Sequence, residues 1–136
     1  MPVNHRVEVR FAPSRQAPAT ARDALAPLGE TVEWETLEST RLLVSELVTN
    51  AVRHGGLRAD DWIELSVEAS PDRVCVRVTD PGKGISRPPP VPRAERPSGW
   101  GLFLVGQIAD RWGIERDDDT RVWFEIDRSN RSDGSG

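Results

Sequence analysis

The sequence predicts an α+β fold, a two-layer sandwich in which helices cover one face of a mixed, mostly antiparallel sheet. Strand-like runs come in pairs joined by short turns, which is typical of antiparallel hairpins. The helical stretches are separate from these pairs, which favours two layers over an alternating α/β arrangement. The 136 residues suffice for one core and not two. We therefore expect a single domain over residues 1–127, followed by a disordered polar tail over 128–136.

Five stretches predict strands, and most of them alternate between apolar and polar residues as a half-buried strand does. They are residues 5–11, 63–69, 74–79, 112–116 and 121–127. Apolar residues at helical spacing predict three helices, over residues 17–28, 36–54 and 99–111. Pro27 with Gly29 closes the first of these helices, and Gly55 with Gly56 closes the second.

Composition excludes several classes of protein. The net charge is −4 and the basic residues are scattered, so the positive surface that nucleic-acid binding requires is not expected. No stretch approaches the ~20 apolar residues of a membrane span, and the first residues do not form a secretory signal. The single cysteine, Cys75, excludes an internal disulfide and a cysteine zinc cluster, and is interpreted as buried filler in a strand. A cytoplasmic protein is expected.

The long central helix carries the first candidate site. Glu46 and Asn50 are one turn apart and point the same way, away from its apolar stripe. The carboxylate can accept a proton, and the carboxamide oxygen can ligate a hard cation. A solvated helix face is the competing interpretation, and this helix alone favours it.

Two glycine motifs flank a long aperiodic segment. Asp80-Pro81-Gly82-Lys83-Gly84 follows a strand, where the carboxylate can accept a hydrogen bond from an amine and the glycines allow close approach of a flat ligand. An ordinary turn is the alternative. Gly99-Trp100-Gly101-Leu102 opens a helix whose free N–H groups suit phosphate, and a flexible hinge is the alternative.

The segment between these motifs, residues 81–98, contains six prolines and no periodicity. A structureless segment of this length inside a compact domain is usually functional, for example as a lid over a ligand. A semi-rigid spacer and a ligand for a proline-reading module are the alternatives.

The three motifs in this order resemble the nucleotide boxes of the Bergerat-fold ATPases. That superfamily includes type II topoisomerases, mismatch-repair ATPases, heat-shock chaperones and histidine kinases. The resemblance covers about residues 37–127. One segment is most similar to the anti-sigma-factor serine/threonine kinases in their single-domain form. Its sequence is Ser45-Glu46-Leu47-Val48-Thr49-Asn50-Ala51-Val52-Arg53-His54-Gly55.

This resemblance implies ATP and Mg²⁺ as cofactors. It makes Asn50 the magnesium ligand, Asp80 the acceptor for the adenine amine, and Glu46 the general base. Residues 85–98 become the lid, and Thr120 helps to hold a water at the adenine. Trp100 departs from the polar residue usual between the two glycines. The residues assigned to the nucleotide are Asn50, Asp80, Gly82, Gly84, Gly99, Trp100, Gly101, Leu102 and Thr120.

The resemblance implies two partners, a sigma factor and a small anti-anti-sigma protein of the STAS type whose Ser or Thr receives the phosphate. A homodimer formed through the sheet is also implied, with the first strand as a candidate. The competing hypothesis is a regulatory module that holds ATP, transfers nothing and sequesters a partner. A histidine-kinase fragment is disfavoured, because His5 and His54 are the only histidines and no dimerisation helix pair is present.

Overall fold

The structure is a computed structural model of the chain, and it describes residues 5–82 and 100–128. The elements in chain order are β1 (His5–Phe11), α1 (Ala17–Asp23), a 3₁₀ helix (Ala26–Glu30), α2 (Trp34–His54), β2 (Ile63–Ala69), β3 (Arg73–Asp80), α3 (Trp100–Ile108), β4 (Arg111–Arg116) and β5 (Thr120–Asp127). The predicted α+β class is confirmed. The proposed lid and two of the predicted glycines, Gly84 and Gly99, lie outside the described residues.

The five strands form one sheet in the order β1-β2-β3-β5-β4, and every pairing within the described residues is antiparallel. The non-sequential step brings β5 beside β3. This step places Asp80, the last residue of β3, directly opposite Thr120, the first residue of β5. Two residues that are far apart in sequence therefore meet at one end of the sheet.

One face of the sheet carries the core. Its apolar residues align in register across neighbouring strands, so that side chains of β1, β2, β3 and β5 form continuous rows. The helix α2 packs on this face against β3 and β5 and also contacts α1 and α3. The largest fully buried side chains are Phe124, Leu25, Leu28, Leu43, Ile63, Leu65, Val44, Val48, Val67, Val74, Val76 and Val105. Within the described residues, no helix has both the length and the apolar character needed to cross a membrane.

The opposite face of the sheet is polar and carries cross-strand ion pairs. Arg6 pairs with Glu68 at 2.7 Å, and Arg111 pairs with Glu125 at 2.6 Å. Cys75 lies on this face, half-buried, with its Sγ donating to Glu125. Burial and the neighbouring carboxylate raise the pKa of Cys75 to about 11, so it is a neutral thiol at physiological pH. The prediction that Cys75 lies in a strand is confirmed, but the prediction that it is buried filler was wrong, because the side chain is half-buried on the polar face of the sheet beside Glu125.

The first predicted helix, residues 17–28, is divided in two. The helix α1 ends at Asp23, and a 3₁₀ helix begins at Ala26. Pro27 has no N–H to continue an α-helix. The amides of Leu25 and Leu28 donate instead to carbonyls three residues earlier, which is the 3₁₀ pattern. The single-helix prediction was wrong for this reason.

The central helix α2 begins at Trp34, two residues earlier than predicted, and ends as expected. Gly55 caps the helix. The next residue, Gly56, has a φ of 67°, in the left-handed region that favours glycine. The helix α3 ends at Ile108, three residues before the predicted end at residue 111. The strand β4 begins at Arg111, one residue earlier than the predicted Trp112.

Arg128 differs from the prediction of a disordered tail beginning at that residue. Its side chain is buried, pairs with Glu33 at 3.1 Å, and donates to the carbonyls of Thr31 and Ser70. Its own amide donates to the carbonyl of Asp72 at 2.9 Å. These contacts join the end of β5 to the segment before α2, so the ordered domain extends at least to this residue. The remainder of the predicted tail lies outside the described residues.

Candidate functional site

A pocket opens between the C-terminal half of α2, the start of α3, and the strands β3, β4 and β5. Three of its lining residues are polar, and the rest are aliphatic. A mostly apolar cleft with a few convergent polar groups is typical of a small-molecule site. The lining residues are Leu47, Asn50, Ala51, Val78, Asp80, Leu102, Ile114, Thr120 and Val122.

Asp80 ends β3 with its side chain turned into this pocket and only 4% of its surface exposed. Its Oδ1 accepts a hydrogen bond from the amide of Gly82 at 2.7 Å. Its other oxygen, Oδ2, has no hydrogen bond within the described residues. Burial raises the pKa of Asp80, the Gly82 amide lowers it, and the nearby Asp119 and Asp61 raise it further. Asp80 therefore brings to the pocket one carboxylate oxygen that accepts no hydrogen bond from a described residue.

Gly82 is held from three sides. Its amide donates to Asp80, and its carbonyl accepts a hydrogen bond from Thr120 Oγ1 at 2.8 Å. Its Cα lies against the end of α2, where an added Cβ would stand 2.0 Å from the carbonyl oxygen of Gly55. Only glycine fits this position, so the sequence pattern Asp80-Pro81-Gly82 is more than an ordinary turn.

Asn50 lies on the wall opposite Asp80. It is 8% exposed, and its Nδ2 is buried with no hydrogen-bond partner among residues 5–82 and 100–128. A buried amide without a partner costs free energy, and functional sites tolerate such groups because a ligand satisfies them. The solvated-face interpretation is therefore wrong for Asn50.

Glu46 lies one turn before Asn50 on α2 and is half-buried. It is not among the residues that line the pocket, and it makes no hydrogen bond or ion pair within the described part of the chain. The structure brings Asn50, Asp80, Leu102 and Thr120 together at the pocket, whereas Glu46 stands at its margin.

The start of α3 forms the third side of the site. Leu102 is buried and lines the pocket, and Trp100 and Gly101 are the first two residues of the helix. The first amides of a helix have no partner inside it and present a positive dipole end to the space in front. The predicted start of a helix at this motif is confirmed, and its role in binding phosphate stays a prediction.

Sequence reasoning missed the aliphatic lining of the pocket and the role of Gly55. The strand alternation contained a signal for Val78 and Val122, because it places both on the core face near the strand ends. The meeting of Gly55 with Gly82 had no local signal, since it depends on how α2 packs against the end of β3.

The pocket has features that suit ATP: a buried carboxylate, a carboxamide nitrogen without a partner among the described residues, and the start of a helix at its edge. The fold and this pocket define the class as a nucleotide-binding domain of the ATPase type. The chain matches the family described as "Histidine kinase-like ATPase domain" over residues 11–126, and it belongs to that family. The Bergerat-type resemblance is confirmed, and ATP binding follows from the family.

The chain is similar to two curated proteins called "Anti-sigma F factor" from two strains of Clostridium botulinum, Eklund 17B and Alaska E43. Each is 31% identical over an alignment of 133 residues, and the match covers 87% of this chain and 91% of the relative. The branch indicated by the sequence, that of the anti-sigma factors, is therefore also confirmed.

The fold is similar to a crystal structure of the RsbU and RsbW domains of a Mycobacterium tuberculosis protein. The TM-score is 0.64 at 18% identity, and the match covers 94% of this chain. The chain spans about a third of that structure's length, 34%, so the likeness concerns the fold of one domain.

Proposed function

We propose that this chain is an ATP-binding anti-sigma regulator that phosphorylates a Ser or Thr of a small anti-anti-sigma protein of the STAS type. In its other state it would bind a sigma factor. One observation carries the proposal: Asp80 and Asn50 are both buried and line the same pocket, where Asn50 Nδ2 has no hydrogen-bond partner among the described residues. Family membership and the two anti-sigma relatives support it.

The sheet side of the pocket is assigned to adenine. Asp80 Oδ2 is the acceptor for the exocyclic amine, because Oδ1 already binds the Gly82 amide. The aliphatic lining supplies apolar contact to the flat base. Gly82 and Gly84 shape this side, and Thr120 supports it through the Gly82 carbonyl.

The helix side is assigned to the triphosphate. Asn50 is the magnesium ligand through its carboxamide oxygen, a hard donor of the type that Mg²⁺ prefers. An ion held there would supply positive charge next to the phosphates. The backbone amides of Gly99, Trp100, Gly101 and Leu102, at and before the start of α3, hold the phosphate oxygens.

Glu46 is assigned as general base. It accepts the proton of the partner's hydroxyl while that oxygen bonds to the γ-phosphorus and ADP departs. Its position one turn before Asn50 on α2, half-buried rather than enclosed, supports this assignment.

The alternative is a module that binds ATP, transfers nothing and acts by sequestering its partner. One observation favours it: Glu46 does not line the pocket, and no described residue orients its carboxylate. The two functions share the nucleotide site and differ only in whether phosphate reaches a partner.

Nucleotide binding is tested by calorimetry with ATP, with and without Mg²⁺, on the unmodified protein and on Asn50→Ala. We expect magnesium-dependent binding that weakens on the order of 100-fold in the variant, the equivalent of one strong charge-assisted contact. Arg53→Ala is the matched control, because Arg53 is exposed on the same helix and does not line the pocket. No ATP binding by the unmodified protein, even with candidate partners present, would exclude the proposal.

Phosphotransfer is tested separately, by incubating the protein with Mg-ATP and each candidate anti-anti-sigma protein and locating phosphate on the partner by mass spectrometry. A phosphorylated Ser or Thr supports the kinase. ATP-dependent binding of a partner without phosphorylation supports the non-catalytic module.

A further inference from the structure

A second concavity lies on the exposed side of α2, where the end of α1 packs beside the middle of that helix. We call it the α1–α2 groove. Its apolar part is Leu42, which is 41% exposed; the described residues contain one other exposed large apolar side chain, Trp34. The residues that line the groove are Arg22, Asp23, Glu38, Arg41 and Leu42.

Side-chain contacts hold the polar walls of the groove. Arg22 of α1 donates to Ser45 Oγ of α2 at 2.9 Å, and Arg41 donates to Glu38 at 3.2 Å. These contacts order two long side chains before any partner arrives, which lowers the entropy lost on binding. The two arginines are matched by two acidic residues, so the lining carries no net charge, and its exposed leucine is the natural point of contact.

Three residues of α2, each one turn after the last, lead from the groove to the nucleotide pocket. Leu42 lines the groove, Asn50 lines the pocket, and Glu46 lies half-buried between them. Residues four apart on a helix are neighbours, and each is rotated by about 40° from the one before. Glu46 therefore stands between two concavities, one on each side.

We propose that the α1–α2 groove is the docking site of the phosphate-accepting protein, with Leu42 as its apolar anchor. A base that takes the proton of one reactant while phosphate arrives from the other has to lie within reach of both. The nucleotide pocket takes up one side of Glu46, so the acceptor approaches from the side of Leu42. This inference rests on the proposed function, because it requires that phosphate pass to a protein hydroxyl.

The size of a protein interface supports this occupant. Leu42 and Glu46 are about 6 Å apart along the helix, whereas a stable interface covers about 800 Å² of each partner. A protein that brings a hydroxyl to Glu46 from this side thus covers Leu42 as well. Its complementary surface presents an apolar side chain near the acceptor Ser or Thr, and it needs no net charge of either sign.

The test is steady-state phosphorylation, with Mg-ATP, of the anti-anti-sigma protein found to carry the phosphate. This measurement separates KM for that protein from the rate at saturation. The variants are Leu42→Ala and Trp34→Ala, and both keep a good helix former at an exposed position. Trp34 is the matched control, because it is 73% exposed on the same helix, lies two turns further from Glu46 and does not line the groove.

We expect Leu42→Ala to raise KM for the acceptor protein about fivefold, the effect of losing part of an interface leucine contact. The rate at saturating acceptor and the affinity for ATP should stay unchanged, since Leu42 does not line the nucleotide pocket. Trp34→Ala should change none of these quantities. KM should vary by less than about twofold between roughly 0.05 and 0.3 M salt, because the groove has no net charge to be screened.

A bulky label at the same two positions gives an independent measure. Leu42→Cys and Trp34→Cys are prepared in a Cys75→Ser background, which leaves one thiol in each protein, and are alkylated with a fluorescent maleimide. The label at position 42 should block phosphorylation of the partner and leave ATP binding intact by calorimetry. The label at position 34 should affect neither.

The outcomes separate the inference from the function it rests on. If neither Leu42→Ala nor the label at position 42 impairs phosphorylation, the acceptor docks elsewhere and the inference is wrong, although the kinase stands. An equal effect of Trp34→Ala, or a fall in the saturated rate with KM unchanged, would also overturn it. If the unmodified protein phosphorylates no candidate partner, the proposed function fails, and the inference fails with it.

Discussion

The two walls of the pocket differ in how their polar groups are satisfied. On the sheet wall, Asp80, Gly82 and Thr120 bind one another through two hydrogen bonds of 2.7 and 2.8 Å. On the helix wall, the Asn50 amide is buried without a partner in the described chain, and Glu46 makes no bond there. The sheet wall is held together by hydrogen bonds within it, with one oxygen of Asp80 left over, whereas the helix wall carries a buried amide nitrogen that has no partner among the described residues.

This difference assigns separate work to the two walls. Base recognition depends on fixed geometry, so its groups are oriented before the nucleotide arrives and lose little entropy on binding. The phosphate side is proposed to bind the charged triphosphate and a metal ion. Its buried amide lowers the stability of the empty protein. We infer that the sheet wall contributes to folding as well as recognition, and that the helix wall has been retained for function at some cost to stability.

The largest expected effect concerns the helix wall. Glu46→Gln keeps the size of the side chain and removes the base, so phosphorylation of the partner should fall about 10²–10⁴-fold. ATP affinity, measured by calorimetry, should stay unchanged, because Glu46 does not line the pocket. Glu35→Gln, an exposed residue in the first turn of the same helix, is the control. Undiminished phosphorylation by Glu46→Gln would remove the base assignment.

The second prediction tests whether the buried Asn50 amide lowers the stability of the ligand-free protein. Asn50→Leu is similar in size and replaces the unpartnered amide by an apolar group, next to Leu47 and Ala51. We expect the free energy of unfolding of the ligand-free protein to rise by about 1–2 kcal/mol, the penalty of one buried unsatisfied group. ATP binding should be lost in the same variant. Urea unfolding measures the first quantity, and a decrease there would show that Asn50 has a structural partner.

The sequence predicted these walls unequally. The strands and the antiparallel sheet followed from alternation in β1, β2 and β3, because a period of two is a local property. Asn50, Asp80 and Gly82 followed from motifs. The break at Pro27 was visible in the sequence but was interpreted as the end of an α-helix rather than a 3₁₀ turn.

Other features depend on contacts between distant segments. Arg128 pairs with Glu33 across most of the chain length, and Gly55 meets Gly82 only after α2 packs on the sheet. Alternation of apolar and polar residues predicts a strand, but it does not predict which distant segment packs against the end of that strand. This is why Arg128 was placed in the tail, and why the close approach of Gly55 to Gly82 was not anticipated.

A smaller effect of opposite sign is expected on the sheet wall. Thr120→Val removes the donor to the Gly82 carbonyl and leaves that carbonyl without its partner. The free energy of unfolding without ligand should fall by about 0.5–1.5 kcal/mol, while Thr79→Val should not destabilise, since valine suits a strand. If Thr120→Val and Asn50→Leu shift stability in the same direction, the contrast between the walls is wrong.

The smallest effect concerns the one sheet-wall group that carries charge. Burial raises the pKa of Asp80 above its ordinary value of 3.8, and the Gly82 amide partly opposes this. The folded protein thus holds the Asp80 proton more tightly than the unfolded chain does. The stability linked to this group is complete below about pH 3.8 and is lost as the pH rises through the raised pKa.

Asp80→Asn removes this titration. Thermal unfolding from pH 4 to pH 8 should show a difference in Tm that grows in favour of the variant as the pH rises, with the exposed Asp60→Asn showing no such trend. A difference that is constant or reversed with pH would mean that the hydrogen bond from Gly82 outweighs burial. The carboxylate would then stabilise the ligand-free protein, and no group of the sheet wall would lower its stability. The expected trend would mean instead that the sheet wall contains one group that lowers the stability of the empty protein and is kept for the ligand.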